Sequence, residues 1–478
     1  MQVSANKSDI NSSLATLLLS VCCIVFSFQT YAANNLPPQF VEETVLSGLT
    51  DPVNLTTMPD GRMLVLEKIG RVRLFDPAQL PATSEIILGI GAIQSANERG
   101  LASIALDPDF ANNGYFYLYY SQLGNDNRNR ISRFVFDFTT DLVVGPEVLV
   151  WEDNEPAFDC CHYGGGMDFG PDGMLYLATG EEFDAPQAQD LTRAGGKIIR
   201  LDTSDIDNSG PWVRGEPNDH IIPDDNPDFV MDGAGPNLDE IWAYGLRNPF
   251  RAHWDLVANR FYLGEVGGNV QSTATEDLHV GRKGANYGWP ICEGACNDPL
   301  YDDPIYFYGH TGETPAGGAI VAGTSYYSDI FPAEYFGAFF IADYAVGTID
   351  YLIFDDNGNF VSENSFATDA GSIVALEEGP DGALYAVDYI GERVLRFSFD
   401  SGNQRPEIVS VNSSIVSGPP PLQVDFSVVA TDTENDDLTY HWFFGDGNEA
   451  FGENVSHTYT QNGFNNAFVV VSLSLIHI

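Results

Sequence analysis

The chain is poor in positive charge. Across 478 residues, 21 Lys and Arg stand against 68 Asp and Glu, a formal net charge of −47. So acidic a surface repels nucleic acid and anionic membranes, and it fits solubility in a salty medium better than any specific cationic partner. Long apolar runs are scarce as well. Leu14 to Phe28 is one, and it is too short to span a bilayer comfortably, so no membrane span is expected. Lys7 before this run and Thr30-Tyr31-Ala32-Ala33 after it give residues 1–32 the form of a secretory signal cleaved near Ala32. The mature protein is therefore expected to be secreted or periplasmic. Cysteine is sparse, at six residues. Cys22 and Cys23 leave with the leader, and Cys160, Cys161, Cys292 and Cys296 remain. An even number in an exported chain suggests disulfides. Cys292 and Cys296 suit a local bridge. A vicinal Cys160–Cys161 bridge would be strained, and pairing between the two sets stays open. The Cys160-Cys161-His162 group lacks a second ligand pair at zinc-site spacing.

What is abundant favours strands and turns. The chain holds 47 Gly, 27 Pro, 31 Phe and 22 Tyr, and 44% of it is apolar, enough for a substantial core. A turn-plus-strand unit recurs. Its clearest copies start at Pro59-Asp60-Gly61, Pro171-Asp172-Gly173 and Pro380-Asp381-Gly382. Looser copies run Pro108 to Leu118, Asp255 to Leu263 and Ala333 to Ile341. Most are followed by a second strand ending in aspartate, as in Gly70 to Asp76, Arg130 to Asp137 and Gly196 to Asp202. Six such units with few helical patterns predict an all-β chain whose main domain, residues 40–400, is a six-bladed β-propeller. Excess length falls in polar, Gly- and Pro-rich stretches, Thr203 to Leu238 and Glu265 to Asp303, which read as loops rimming a central pocket.

Residues 401–406 read as a linker. Alternating strands follow over 407–472, forming a small β-sandwich. Tyr440-His441-Trp442-Phe443-Phe444-Gly445-Asp446-Gly447 and His457-Thr458-Tyr459 resemble the polycystic-kidney-disease (PKD) type of repeat. That resemblance implies a spacer, or a module contacting polysaccharide or a cell surface. The sandwich is expected to be incomplete, with 473–478 read as a non-native tail.

One stretch concentrates chemistry. His162 adjoins Gly164-Gly165-Gly166, a turn follows at Pro171-Asp172-Gly173, and an apolar strand from Met174 to Thr179 ends at Gly180-Glu181. If that strand returns beside the histidine, Glu181 reaches the imidazole. A carboxylate receiving the proton of one ring nitrogen leaves the other free to act as a base. Elsewhere Glu98-Arg99-Gly100-Leu101, Gly245-Leu246-Arg247-Asn248-Pro249, Glu265-Val266-Gly267-Gly268 and Asn286-Tyr287-Gly288-Trp289-Pro290 adjoin strands. Propeller loops converge on the axis, so segments this far apart can share one pocket.

On these motifs, residues 40–400 resemble the soluble quinoprotein glucose/sorbosone dehydrogenases and their hedgehog-interacting-protein-like relatives. The resemblance implies an exported dehydrogenase that oxidises a sugar or polyol with pyrroloquinoline quinone (PQQ) and passes electrons to an external acceptor. It makes His162 the general base and Glu181, in place of the usual Asp, its orienting carboxylate. Arg247 and Asn248 would contact the quinone, Glu98 stands where a Gln contact is usual, and Arg99 is a candidate cation for the cofactor. Gly267 and Gly268 match positions whose carbonyls hold Ca²⁺, the second in place of a usual proline. Three cations that clamp the cofactor carboxylates are missing near Ala345, Asp369 and Gly371, with Arg99, Arg193, Lys197 or Lys283 as replacements. Two other readings remain open: a non-catalytic carbohydrate- or protein-binding propeller, and a Ca²⁺-centred lactone hydrolase.

Overall fold

The structure, a computed structural model, describes residues 36–124, 127–156, 161–204, 206, 221–229, 237–270, 272–310, 318–400, 406–432, 437–461, 463 and 465–473. The expected leader, Cys160, nearly all of the linker and most of the expected tail lie outside these residues, as does much of Thr203 to Leu238.

Six antiparallel four-stranded sheets follow one another along the chain. Their first strands are Pro52–Thr57, Leu101–Leu106, Gly166–Phe169, Pro249–Asp255, Ile320–Ser325 and Ile373–Glu378. Each first strand packs beside that of the next sheet, and the sixth returns to the first. This closed ring makes the sheets six blades around an axis, numbered here in chain order. The ring is latched by an exchange of strands: Phe40–Ser47 supplies the outer strand of blade six, pairing with Arg393–Phe399 from Phe40 opposite Phe399 to Ser47 opposite Arg393.

The recurring turns are the hairpins joining first and second strands. Gly61 N–H donates to Met58 O, Gly173 to Gly170 O and Gly382 to Gly379 O, at 2.9, 2.9 and 3.0 Å. Second strands such as Met63–Glu67 and Leu384–Asp388 are buried throughout, covered by blades on both sides. Their continuous apolar runs follow from that double cover, whereas an outer strand such as Ser84–Gly89 is largely exposed. The core is a set of interblade layers. Between blades five and six, Tyr326, Phe331, Phe340, Phe366, Leu384 and Phe397 interlock. Burying an aromatic or aliphatic side chain of this size stabilises by about 1.5–3 kcal/mol.

One expected loop is partly strand. Within Glu265 to Asp303, Thr275–Val280 forms the third strand of blade four, with Glu276, Asp277, Leu278 and His279 all buried. Its interior acids and histidine disguise it as loop sequence.

Beyond the propeller, Glu407–Ser413, Leu422–Thr431 and Asn454–Tyr459 form one three-stranded sheet, and Glu449–Phe451, Leu438–Phe443 and Phe468–Leu473 form another. They enclose Val424, Phe426, Trp442 and Phe444, and the Trp442 indole donates to Gly452 O at 3.0 Å. Among the described residues no helix is long and apolar enough to cross a membrane.

Candidate active site

Strand pairing dictates where the site forms. In blade three Gly166 pairs with Ala178, so the residues before the first strand and after the second emerge at the same end. His162 and Glu181 are those residues. Blade four repeats the geometry: Pro249 pairs with Glu265, which brings Arg247-Asn248 beside Val266-Gly267.

Two glycines make the fit possible. At Gly180 a Cβ would lie 2.0 Å from His162 O, and at Gly164, where φ is +65°, it would lie 2.4 Å from Ala178 O. No side chain fits at either position, so the two segments touch backbone to backbone. His162 itself has φ +63°, an unfavourable conformation kept by its surroundings. Its Nδ1 lies 2.6 Å from Glu181 Oε1, and both residues are buried. His162 N–H donates to Glu98 Oε2 at 2.6 Å. Gly164 N–H donates to Asn248 Oδ1 at 3.0 Å, tethering this loop to blade four. Glu181 N–H donates to Arg247 O at 2.8 Å.

Arg247 continues the network. Its guanidinium donates to Val266 O at 2.9 Å and to Asn269 Oδ1 at 3.0 Å, and it lies 5.5 Å from the Trp289 ring centre. Burial lowers its pKa, with Glu181 and Glu265 opposing the shift. Gly267 and Gly268 form the next bend, their N–H groups donating to the carboxylates of Glu276 and Glu293. On the other flank Arg99 donates through Nε to the Tyr163 hydroxyl at 2.7 Å. Burial pushes that hydroxyl up to about 12, with Arg99 opposing. All eight expected site residues therefore meet at one end of the ring.

Several participants were not anticipated. Lys68, at the corresponding corner of blade one, donates to Asn97 O and lies 6.0 Å from the Tyr389 ring centre. Partial burial lowers its pKa, while Asp51 and Glu98 pull it up. Glu265, Asp277 and His279 are all buried, with ligand atoms within 4.8 Å of one another. Burial raises Asp277 to about 7; it opposes the charged form of His279, but Glu265 and Asp277 outweigh it and raise the imidazole. A small recess, with room for little more than a water or an ion, opens here, lined by Arg247, Glu265, Gly267, Thr275, Asp277 and Trp289 among others. Only strand pairing reveals this group, since Glu265 pairs with Asp277 and Leu263 with His279 across neighbouring strands. Phe183, two residues past Glu181, lies with its ring centre 5.2 Å from the His162 ring.

Three suggested replacement cations are committed elsewhere. The buried Lys197 ammonium donates to Gln187 O, Ala188 O and Gly195 O at 2.8, 3.2 and 2.6 Å. Arg193 pairs with Asp184, and Lys283 lies 3.6 Å from Asp225. At two of the positions where the resemblance led cations to be expected, Ala345 N–H is taken by Asp343, and the space beside Gly371 is filled by the Asp388 carboxylate. Of the cysteines, Cys292 is bridged to Cys296, and Cys161 is also disulfide-bonded.

The closed six-bladed ring thus carries a buried imidazole–carboxylate pair at one end, with Arg99 and Arg247 beside it. Residues 49–392 match the glucose/sorbosone dehydrogenase family; the chain belongs to it, and with it to the oxidoreductases. Residues 403–474 match the PKD domain. Aldose sugar dehydrogenase YliI of Escherichia coli K12 is 29% identical over 372 residues, 72% of this chain and 89% of that protein. An oxidoreductase of Thermus thermophilus, a glucose dehydrogenase by description, superposes with a TM-score of 0.61 at 27% identity, covering 75% of this chain and 99% of its own. The PQQ-bound aldose sugar dehydrogenase of Streptomyces coelicolor shares the fold, with a TM-score of 0.57 at 23% identity, covering 76% and 99%.

Proposed function

We propose that this protein is an exported dehydrogenase that oxidises the hydroxyl-bearing carbon of an aldose or related polyol, with PQQ as cofactor and Ca²⁺ beside it. The observation that carries the reading is the buried His162–Glu181 pair at 2.6 Å. With Glu181 accepting from Nδ1–H, the His162 Nε2 lone pair takes the substrate hydroxyl proton, and the carboxylate stabilises the resulting imidazolium.

The residues present fit the two groups. Glu181 Oε2 and Trp289 Nε1 are buried without a partner, and so are Asp277 Oδ1 and Thr275 Oγ1 in the recess below Arg247. Hard oxygen donors at Glu265, Asp277, Thr275 and the Gly267-Gly268 bend suit Ca²⁺. Arg247 and Asn248 would contact the quinone, and Lys68 and Arg99 would face the cofactor carboxylates, where charge-assisted pairs contribute about 1.5–3 kcal/mol each. When bound, PQQ supplies a hydride acceptor; the chain supplies the base, the electrostatics and the enclosure. The leader-like residues 1–32 and the Cys292–Cys296 bridge support export. The PKD domain would act as a spacer or a polysaccharide contact, and an external acceptor would reoxidise the cofactor.

The absence of cations near Ala345, Asp369 and Gly371 favours one rival, a carbohydrate-binding propeller of the same family without turnover. Titrating purified protein with PQQ and Ca²⁺ tests the reading. Cofactor absorbance should shift and saturate, aldoses should then reduce an acceptor dye, and EDTA should abolish that reduction. Absence of binding at micromolar PQQ would refute the reading.

A further inference from the structure

The turn that follows Glu181 is built against local preference. Asp184 N–H donates to Glu181 O at 2.9 Å, closing a four-residue turn. Its two central residues, Glu182 and Phe183, have φ +54° and +65°. Positive φ at both central positions is the mark of a type I′ turn, which favours Asn-Gly. Among the described residues, the other non-glycines with positive φ are Asn, Asp, Gln, Glu and His; Phe183 is the one hydrophobic side chain in that set.

The surroundings enforce this conformation. Glu182 N–H donates to His162 O at 3.0 Å, and Asn129 Nδ2 donates to the buried Glu182 carboxylate at 2.6 Å. With Glu182 pinned inward, the turn projects Phe183 outward. Phe183 is 59% exposed, although its ring centre is 5.2 Å from that of His162, a residue only 6% exposed. An unfavourable backbone that displays a large apolar ring beside the buried imidazole contributes little packing, and strain of this kind collects where a ligand needs it.

We infer that Phe183 is a stacking platform for the apolar C–H face of a pyranose ring, holding the sugar with its reacting hydroxyl toward His162. A ring face provides apolar area and orientation at small entropic cost, and a pyranose offers a complementary face of axial C–H bonds. The sugar substrate class rests on the function proposed above, but the platform would equally serve a carbohydrate-binding propeller that does not turn over.

Phe183→Gly tests this, because glycine relieves the positive φ while removing the ring. With the PQQ- and Ca²⁺-loaded protein, KM for aldopyranoses should rise about five- to tenfold with kcat little changed. Melting temperature should stay equal or increase. Phe183→Trp, which keeps an aromatic face, should restore KM. Saturation-transfer NMR of the protein with methyl pyranosides reads binding without turnover: saturation of the axial ring protons should be present in wild type and lost in Phe183→Gly. If wild type fails to oxidise aldoses but shows that saturation pattern, the platform stands and the dehydrogenase reading falls. An unchanged KM and saturation pattern in Phe183→Gly would overturn the platform. So would a fall in kcat together with melting temperature, which would make Phe183 a packing residue.

Discussion

Glu181 does two things for His162, and they can be separated. Under the proposed function its carboxylate would fix the tautomer by accepting from Nδ1–H, and its charge would stabilise the imidazolium formed when the ring takes the substrate proton. Glu181→Gln keeps the shape but offers an amide that can donate to Nδ1, which leaves the proton on Nε2 and removes the base. kcat/KM for aldoses should fall by about 10²–10⁴-fold, as for His162→Asn, with little change in the far-UV spectrum. Glu181→Asp, which keeps the charge, should retain more activity than Glu181→Gln. A Glu181→Gln enzyme within twofold of wild type would exclude the pair from the chemistry. This pair was legible in sequence because a glycine-flanked histidine and a strand-terminal carboxylate sit at the two ends of one hairpin. The Glu265–Asp277–His279 group was not. Its members are spread over two strands, and the second strand carries acids where apolar residues would have announced it. Phe183 was missed for a different reason: its exposure depends on a backbone sign that side-chain identity does not encode.

At the scale of elements, the hairpins were readable because Pro-Asp-Gly turns mark them locally. The latch between Phe40–Ser47 and Arg393–Phe399 was not, since it joins the two ends of the domain. The inner strands carry a consequence of that closure. Glu377 and Glu378 end the first strand of blade six. Glu377 keeps some accessible surface yet is ringed by protein, and its Oε1 accepts from Thr57 N–H in blade one. Burial, with nearby Asp168 adding repulsion, raises Glu377 to about 8, and burial raises Glu378 to about 7, from 4.5. Between about pH 4.5 and 8 the folded chain keeps protons that the unfolded chain releases. Stability is therefore favoured at the acid end and declines as pH rises through that window. Glu377→Gln keeps an acceptor for Thr57 N–H and removes the titration. Its melting temperature should fall less between pH 5 and pH 8.5 than that of wild type, with a gain of about 1–3 kcal/mol at the alkaline end. Parallel curves for the two proteins would show that Glu377 is ionised in the fold at neutral pH.

At the scale of the whole molecule, charge decides who can approach. A net charge of −47 surrounds a site whose local cations are Lys68, Arg99 and Arg247. A neutral sugar crosses this field without a charge penalty. Under the proposed function an electron acceptor would have to come near the same end of the ring to reoxidise the cofactor, and this field would sort it. Cationic acceptors, small dyes or basic proteins, are drawn inward, and anionic ones are turned away before contact. The effect belongs to association and not to chemistry, so it acts on kcat/KM for the acceptor and leaves sugar KM unchanged. It also decays with ionic strength, because the Debye length shrinks from about 30 Å at 0.01 M salt to about 10 Å at 0.1 M. The loaded enzyme should thus use a cationic dye with higher kcat/KM than ferricyanide at 10 mM salt. Raising salt to 0.5 M should slow the cationic dye, speed ferricyanide, and bring the two closer. If ferricyanide is preferred at low salt and added salt slows it, then the cations around His162, and not the acidic exterior, govern the approach.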